Sequence, residues 1–295
     1  MTPTPLHYEI VINILKLGIP IICEKSLAMT SDELIDIINT ENKNNGFVAI
    51  TYNYSGYPAV RELRAMIENG ILGEILHFQM EMPQEGYIKK DSNGNPSKIQ
   101  SWRLEKKKNP LIHLDLFSHL HHLIYYLLRI RPLSVISDQQ SYGWFSDVID
   151  NVVCLCKYSN NVHGQVWFSK SALGYRNGLR LRIYGSKASA EWYQANPEEL
   201  IVSHVDGRRN VIDRGSSTFL LSEKRYNRFK AGHPSGFIEA FANLYSDIAD
   251  SLYSYKETNS IPNNDEVFGS TLALEGMKMI EAMIKSTTTN MWEFI

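Results

Sequence analysis

Residues 111–128 read LIHLDLFSHLHHLIYYLL, an apolar run that contains one carboxylate and four imidazoles. Because Asp115 and His119 are four residues apart, a helix would place both side chains on one face, with His122 about one turn further along. Four of the nine histidines of the chain fall between His113 and His122, which is more than a helix of the hydrophobic core requires. The run is therefore either a buried helix whose polar groups are satisfied by neighbours or part of a functional site.

The length and composition describe a globular protein of two domains. A chain of 295 residues is long enough for two hydrophobic cores with a crevice between them. With a formal net charge of −2 and no long basic run, the sequence does not favour nucleic acid as a partner. No apolar segment reaches the roughly 18 residues that span a membrane, and the N-terminus lacks signal-peptide features. We therefore expect a cytoplasmic protein that does not bind membranes.

The three cysteines are Cys23, Cys154 and Cys156. Their number is odd, and the spacing of the last two places both side chains on one face of a strand rather than forming a CxxC pair. The sequence therefore predicts reduced, buried thiols.

The first 54 residues predict a small parallel sheet. Two helices and two continuous apolar strands alternate in the order helix, strand, helix, strand, which is typical of a parallel sheet with crossover helices. By the right-handed crossover rule, the first helix should follow a further strand, which this sequence does not contain. The predicted helices run from about Pro5 to Leu17 and from about Ser31 to Thr40, and the predicted strands are Ile19–Cys23 and Phe47–Tyr52.

The remaining residues, 55–295, predict a different architecture. A helix at Tyr57–Asn69 and a strand from about Ile75 to Met82 precede the polar stretch Pro83–Asn109, and a loop of this length is more often functional than idle. Beyond the histidine-rich helix, short strands with alternating patterns predict a mostly antiparallel sheet, followed by two long amphipathic helices. The predicted strands are Leu133–Asp138, Asn151–Tyr158, Val162–Ser169, Leu179–Tyr184, Ala188–Tyr193 and Glu199–Val205, and the predicted helices are Gly236–Tyr253 and Val267–Ile284.

Several collinear blocks resemble the pattern of the Gfo/Idh/MocA family of NAD(P)-dependent oxidoreductases across essentially the whole chain. They include CEKSLA, AITYNYSGYPAVRELRAMIENGILGEI, SWR, LDLFSHLHHL, IYGSKASAEWYQANPEEL and AGHPSGFIEAFANLYSDIA. The resemblance implies an α/β plus α+β fold. Residues 1–54 would form a partial Rossmann domain, the C-terminal remnant of a doubly wound parallel sheet. Residues 55–295 would form a substrate and oligomerisation domain with a large, mostly antiparallel open sheet flanked by helices.

The resemblance also implies an activity, which is hydride transfer between NAD or NADP and a polyol, inositol, sugar or sugar derivative. The implied partners are this small-molecule substrate and further copies of the chain, joined as a dimer or tetramer through the C-terminal sheet. Family members begin with a GxGxxG turn and an acidic residue that binds ribose, and neither is found in this sequence. We therefore expect that the first half of the Rossmann domain is missing and that cofactor binding by this chain is impaired.

The resemblance assigns three catalytic residues. Lys25 resembles the lysine of the family's EKP motif, whose ammonium polarises the reacting oxygen. His119 resembles the general acid/base, and Asp115 resembles the carboxylate that orients the substrate and steadies the imidazolium. Two positions depart from the family pattern. Ser26 replaces the usual proline, which predicts loss of a cis peptide bond, and Phe117 replaces a common glycine, which predicts loss of close backbone approach.

Binding residues are also implied by the resemblance. Arg103, in SWR, would reach the cofactor or the substrate, and His233 would contact the substrate together with the three catalytic residues. His121 is interpreted as a packing residue. The nicotinamide end of the cofactor would be lined by Thr2, Thr4, His7, Glu24 and Lys25.

Two alternatives stay open from the sequence. One is a metal-dependent enzyme that uses His119 and Asp115, helped by His113 and His122, because these side chains include good zinc or iron ligands. Helical spacing places His113 off the shared face, so we assign no metal ligand. The other is an inactive remnant that acts only as a folding or oligomerisation module, because pyrophosphate binding needs the glycine-rich turn.

Overall fold

The computed structural model describes residues 2–105, 107–258, 260 and 264–295. Met1, the first residue of the predicted partial domain, lies outside the described residues. Within the described ranges, no helix combines the length and the apolar character needed to cross a membrane.

The N-terminal segment forms a two-stranded parallel sheet, as the sequence predicts. A 3-10 turn at Thr4–Leu6 leads into the first helix, and strand β1 pairs in parallel with strand β2 so that Ile21 lies beside Val48. The strands are shorter than predicted, because ladder pairing begins only where the Ile21 N–H reaches the carbonyl of Phe47. The elements are α1 (His7–Lys16), β1 (Ile21–Cys23), α2 (Ser31–Lys43) and β2 (Val48–Ile50).

A capping box starts helix α2. The hydroxyl of Thr30 accepts a hydrogen bond from the Glu33 backbone N–H at 3.3 Å, and the Glu33 carboxylate accepts one from the Met29 backbone N–H at 2.7 Å. These bonds satisfy backbone donors that would otherwise lack partners at the helix N-terminus. The sequence TSDE therefore places the start of α2 where it was predicted.

The C-terminal part is built on a nine-stranded sheet with the order β10-β9-β8-β7-β3-β6-β5-β4-β11. All neighbouring strands are antiparallel except β3 and β6, so the predicted, mostly antiparallel sheet is confirmed. The elements are α3 (Pro58–Glu68), β3 (Ile75–Pro83), α4 (Ser118–Leu128), β4 (Pro132–Gln140), β5 (Asn151–Tyr158), β6 (His163–Ser169), β7 (Arg180–Gly185), β8 (Ala188–Tyr193), β9 (Asn196–His204), β10 (Arg209–Ile212), α5 (Phe237–Thr258), α6 (Ser270–Thr289) and β11 (Glu293–Phe294).

Strand β3 lies in the middle of this sheet because its alternate apolar side chains enter the core. Phe78, Met80 and Met82 are all buried. Phe78 lies directly opposite Gly164 of β6, and a Cβ atom at Gly164 would lie 2.1 Å from the Phe78 ring. Only glycine therefore leaves room for this ring in the parallel pair.

Helix α6 covers one face of the sheet. The backbone N–H of Ser137 on β4 donates to the Ser286 hydroxyl, and the Ser137 hydroxyl donates to the Met283 carbonyl at 2.7 Å. The predicted buried thiols are confirmed, since Cys23, Cys154 and Cys156 are buried and free. Strands β10 and β11 were not predicted, because both are short and carry few apolar residues.

A buried ion pair joins α3 to α5. The guanidinium of Arg61 is 1% exposed and lies 2.6 Å from Asp247 and 3.5 Å from Glu266. It also donates hydrogen bonds to the Ser55 carbonyl and to the Tyr226 hydroxyl. Because the charge is buried and each guanidinium nitrogen donates to an acceptor, these partners offset the cost of removing the charge from water.

We expect Arg61→Met to lower the free energy of unfolding by about 3 to 5 kcal/mol, because it leaves the carboxylate of Asp247 buried with less compensation. Urea denaturation followed by circular dichroism measures the change. The control is Arg208→Met, which removes an exposed pair with Asp206 and should cost less than about 1 kcal/mol. Equal effects in the two variants would contradict the structural role of the buried pair.

Candidate functional site

The histidine-rich run does not begin as a regular α-helix. Residues His113–Phe117 form a π-helical turn that leads into α4. Such turns are uncommon and occur frequently at functional sites. Two carbonyl oxygens of this turn bind side chains from the end of β1, since the Leu114 carbonyl accepts from the Ser26 hydroxyl at 2.7 Å and the Asp115 carbonyl accepts from Lys25 Nζ at 2.6 Å. The wide turn therefore anchors the segment that follows β1.

The peptide bond between Lys25 and Ser26 is cis. The prediction that serine in place of proline removes the cis bond is therefore wrong. Ser26 is held on both sides, because its hydroxyl donates to the Leu114 carbonyl and its own carbonyl accepts a hydrogen bond from His7 Nδ1 at 2.7 Å. The serine hydroxyl thus holds this segment through a hydrogen bond that a proline side chain could not make.

Asp115 is the centre of the site. Its Oδ1 accepts a hydrogen bond from Lys25 Nζ at 2.6 Å, and its Oδ2 accepts from Lys170 Nζ at 2.5 Å and from the Arg103 guanidinium at 3.1 Å. Burial opposes ionisation of this carboxyl, but the charges of Lys25, Lys170 and Arg103 outweigh burial and hold the pKa of Asp115 well below its usual range. The group is therefore ionised at neutral pH and fixes three cations.

His119 lies beside this charge cluster. Its ring is buried and meets the Tyr54 ring edge-on with the centroids 4.7 Å apart. Its Nδ1 atom has no hydrogen-bond partner among the described residues. Burial and then the charge of Lys25 hold the pKa of His119 well below its usual value, so the imidazole is neutral at neutral pH and is able to accept a proton. The structure therefore brings Lys25, Asp115 and His119 together.

The other three histidines of the run pack in the core. His122 stacks on Tyr52 at 4.3 Å, and His113 meets Phe168 edge-on. His121 packs against Gly276 and lies 3.5 Å from Glu275, which agrees with its interpretation as a packing residue. Within the ranges that the structure describes, no three His, Cys, Asp or Glu side chains are grouped to hold a metal ion.

Lys170 was missed by the sequence analysis. It directly follows β6, just as Lys25 closely follows β1, and a polar residue after a buried strand is the signal that could have found it. Its backbone N–H donates to the Asp150 carbonyl, and its carbonyl accepts from the Tyr87 N–H at 2.8 Å. Its ammonium lies 5.3 Å from the centre of the Tyr87 ring. These contacts fix the side chain beside Asp115.

His7 and His233, which were predicted to bind the cofactor and the substrate, make other contacts in the structure. Both ring nitrogens of His7 are engaged with the backbone, at 2.7 Å from the Ser26 carbonyl and 3.0 Å from the Thr2 carbonyl. His7 therefore braces the chain instead of facing an open cleft. His233 is exposed, and the one hydrogen bond of its ring among the described residues involves the Lys230 carbonyl. The structure does not bring His233 to the Asp115 cluster.

The remaining predicted cofactor residues lie before α1 and directly after β1. Thr2 is exposed, Thr4 and Glu24 are partly buried, and Lys25 follows β1. Just beyond β2, the buried atoms Thr51 Oγ1 and Asn53 Nδ2 have no hydrogen-bond partner among the described residues. Ligands of parallel sheets bind at this carboxyl edge, so these unpaired polar atoms fit the nicotinamide end of a dinucleotide. A glycine-rich GxGxxG turn for the pyrophosphate is not found in the sequence.

Comparisons with known proteins identify the family. A model of an oxidoreductase family with an NAD-binding Rossmann fold matches residues 1–52, and the model of the Gfo/Idh/MocA C-terminal domain matches residues 60–191. The uncharacterized oxidoreductase YfiI of Bacillus subtilis is 31% identical over 290 residues, which cover 97% of this chain and 74% of that protein. Levoglucosan dehydrogenase of Pseudarthrobacter phenanthrenivorans is 27% identical over 225 residues, 68% of this chain and 56% of that protein.

A solved structure shows the same fold. The crystal structure of an inositol dehydrogenase homolog from Azotobacter vinelandii, complexed with NADH and myo-inositol, superposes with a TM-score of 0.86. The two sequences are 25% identical, and the superposition covers 100% of this chain and 76% of that one.

Fold, site and relatives define a dinucleotide-dependent oxidoreductase. The chain belongs to the Gfo/Idh/MocA family, and its NAD-binding part is of the Rossmann type. The two matched ranges end and begin on either side of the predicted domain boundary at residue 54. This boundary stays a prediction. The oligomeric state also stays a prediction. The structure does not support the expected absence of half a Rossmann domain.

We expect the free energy of unfolding to fall as the pH drops below about 6.5, the value at which unfolded histidines titrate. Burial lowers the pKa of His113 to about 3 and that of His121 to about 4, and it holds the values of His119 and His122 well below normal. The unfolded state therefore binds protons that the folded state does not. Each histidine adds a slope of up to about 1.4 kcal/mol per pH unit.

Urea titrations at half-unit steps between pH 7.5 and 5 measure this slope. His122→Phe removes one of the four protonation sites and should reduce the slope by about a quarter. Leu123→Ala is the matched control, because it destabilises the same helix without removing an imidazole. A stability that is flat over this pH range would contradict burial of the neutral rings.

Proposed function

We propose that the chain oxidises a secondary alcohol of a sugar or polyol with NAD(P) as the oxidant, and that Lys25, Asp115 and His119 act at the reacting hydroxyl group. The observation that carries the proposal is the bond between Lys25 and Asp115 beside a buried, neutral imidazole. When bound, NAD(P) supplies the acceptor for the hydride that leaves the carbinol carbon. The residues of the chain position the alcohol and remove its hydroxyl proton.

His119 is the proposed base. The ring is neutral at neutral pH, so a ring nitrogen accepts the hydroxyl proton as the carbon is oxidised. Lys25 donates a hydrogen bond to the same oxygen and stabilises its alkoxide character. The two bonds from Lys25 Nζ to the carbonyl and the carboxylate of Asp115 fix the direction of the ammonium. Asp115 is thus the positioning residue.

The relatives support a cyclic polyhydroxylated substrate. One curated relative is a levoglucosan dehydrogenase, and one similar solved structure contains NADH and myo-inositol. Both compounds carry several secondary hydroxyl groups on a ring. We propose a substrate of this general class, so myo-inositol and levoglucosan are the first compounds to assay.

We expect His119→Asn to lower turnover about 10²- to 10⁴-fold, because a positioned proton acceptor is lost while the size and polarity of the side chain are largely kept. The reduction of NAD+ or NADP+ is followed by absorbance at the highest practicable cofactor concentration. The control is His163→Asn, which changes an exposed histidine on β6 and should leave turnover unchanged. If both variants match the unmodified chain, His119 is not the base.

We further propose that a polypeptide of these 295 residues binds its cofactor weakly. The sequence contains no GxGxxG turn, and pyrophosphate binding at a helix N-terminus relies on such a turn. We expect calorimetry to give a dissociation constant for NAD+ weaker than roughly 1 mM. Saturable micromolar binding would overturn this expectation. Turnover that stays undetectable even at high cofactor concentration would favour the alternative of a folding or oligomerisation module.

A further inference from the structure

More positive than negative charge surrounds the catalytic centre. Lys25, Lys170 and Arg103 all bond the single carboxylate of Asp115. The next acid in this region, Asp150, is buried, and its carboxylate accepts hydrogen bonds from two backbone N–H groups and one hydroxyl. When both acids are counted, the three cations still leave one positive charge without a partner.

Glu24 does not balance this charge within the cluster, although it is next to Lys25 in the sequence. Among the described residues, no ion pair joins Glu24 to Lys25, Lys170 or Arg103, whereas all three cations pair with Asp115. The charges that lower the pKa of Asp115 are those of Lys25, Lys170 and Arg103. The excess positive charge therefore belongs to the surroundings of Asp115.

The hydrogen-bonding groups of the cluster are almost all donors. An ammonium carries three N–H donors and a guanidinium carries five. Among the described residues, Lys170 Nζ donates to Asp115 alone, and the Arg103 side chain donates to Gln100 and Asp115. Several donors thus have no protein acceptor. A carboxylate only accepts hydrogen bonds, whereas a hydroxyl group must also donate one, so the cluster suits a carboxylate better than a neutral sugar.

The two outer cations are arranged to share one anionic group. Lys170 and Arg103 bond the same oxygen, Oδ2 of Asp115, at 2.5 and 3.1 Å, so their free donors lie near each other. The Lys170 side chain is 10% exposed, whereas that of Arg103 is 30% exposed. The pair therefore combines a buried, fixed cation with one that reaches open space.

We propose that the substrate is an acidic sugar or polyol, whose carboxylate binds between Lys170 and Arg103 while a neighbouring hydroxyl lies at Lys25 and His119. This inference rests on the proposed function and narrows its substrate class. Lys170 is then the residue that determines specificity, because a neutral substrate leaves three cations to share the single carboxylate of Asp115 in a largely desolvated place.

The test compares D-glucuronate with D-glucose, which differ at C6, where one carries a carboxylate and the other a hydroxymethyl group. Their binding to the chain is measured by calorimetry or saturation-transfer NMR, with and without NAD+, so the result does not require turnover. We expect glucuronate to bind at least roughly tenfold more tightly, since a charge-assisted pair is worth about a factor of ten or more. Raising the salt concentration should weaken glucuronate binding selectively.

Lys170→Gln should bring the ratio of the two affinities close to one, and Lys170→Arg should restore part of it. The control is Lys157→Gln, which removes an exposed lysine from β5 and should leave the ratio unchanged. A merely structural role for Lys170 would weaken both sugars alike. Either that result or a preference of the unmodified chain for glucose would overturn the inference.

The same measurements separate the two proposals. Oxidation of neutral sugars without a preference for glucuronate would overturn the acidic substrate and leave the proposed function standing. Tight, Lys170-dependent glucuronate binding without hydride transfer to NAD+ or NADP+ would support the acidic ligand and count against the proposed function. Failure of both sugars to bind would overturn the acidic substrate.

Discussion

The bond between Lys25 and Asp115 is the interaction on which the site depends. It joins the end of β1, in the small parallel sheet, to the π-helical turn that precedes α4. Removing a charged pair from water costs more than its attraction returns unless further hydrogen bonds satisfy both groups. Here the Asp115 carbonyl also accepts from Lys25, and Lys170 and Arg103 bind the second carboxylate oxygen. A network of hydrogen bonds, rather than a single ion pair, therefore holds the small parallel sheet against the turn that precedes α4.

The sheets determine where these side chains meet. Lys25 follows β1 and Lys170 follows β6, so each lysine is placed by the end of a strand that carries buried side chains. The imidazole of His119 comes from α4, and its neutral state follows from burial and from the nearby ammonium of Lys25. The carboxylate of Asp115 therefore holds the three cations in place. Burial, together with one of these cations, Lys25, keeps the ring of His119 unprotonated. Charge placement and protonation state arise from the same packing.

Much of the fold could be predicted because hydrophobic patterning reports it directly. The parallel pair β1 and β2 followed from two short apolar runs, and the strands of the large sheet followed from alternation. Asp115 and His119 were singled out because their helical spacing is visible in the sequence, and Lys25 because its EKS block resembles the family's EKP motif. Lys170 was not found, since its importance comes from the distant residues Asp115 and Tyr87. The cis peptide before Ser26 was not predicted, because such bonds are rare without proline.

The π-helical turn at His113–Phe117 makes the site sensitive to chain length as well as to residue identity. The turn contains one more residue than a regular helix would need. Loss of one residue there other than Asp115 would restore ordinary helical winding and rotate the preceding segment by about 100° relative to α4. The carboxylate would then point away from both lysines, although every functional side chain would still be encoded. A deletion of one codon in this turn would therefore disrupt the catalytic arrangement more completely than many single substitutions.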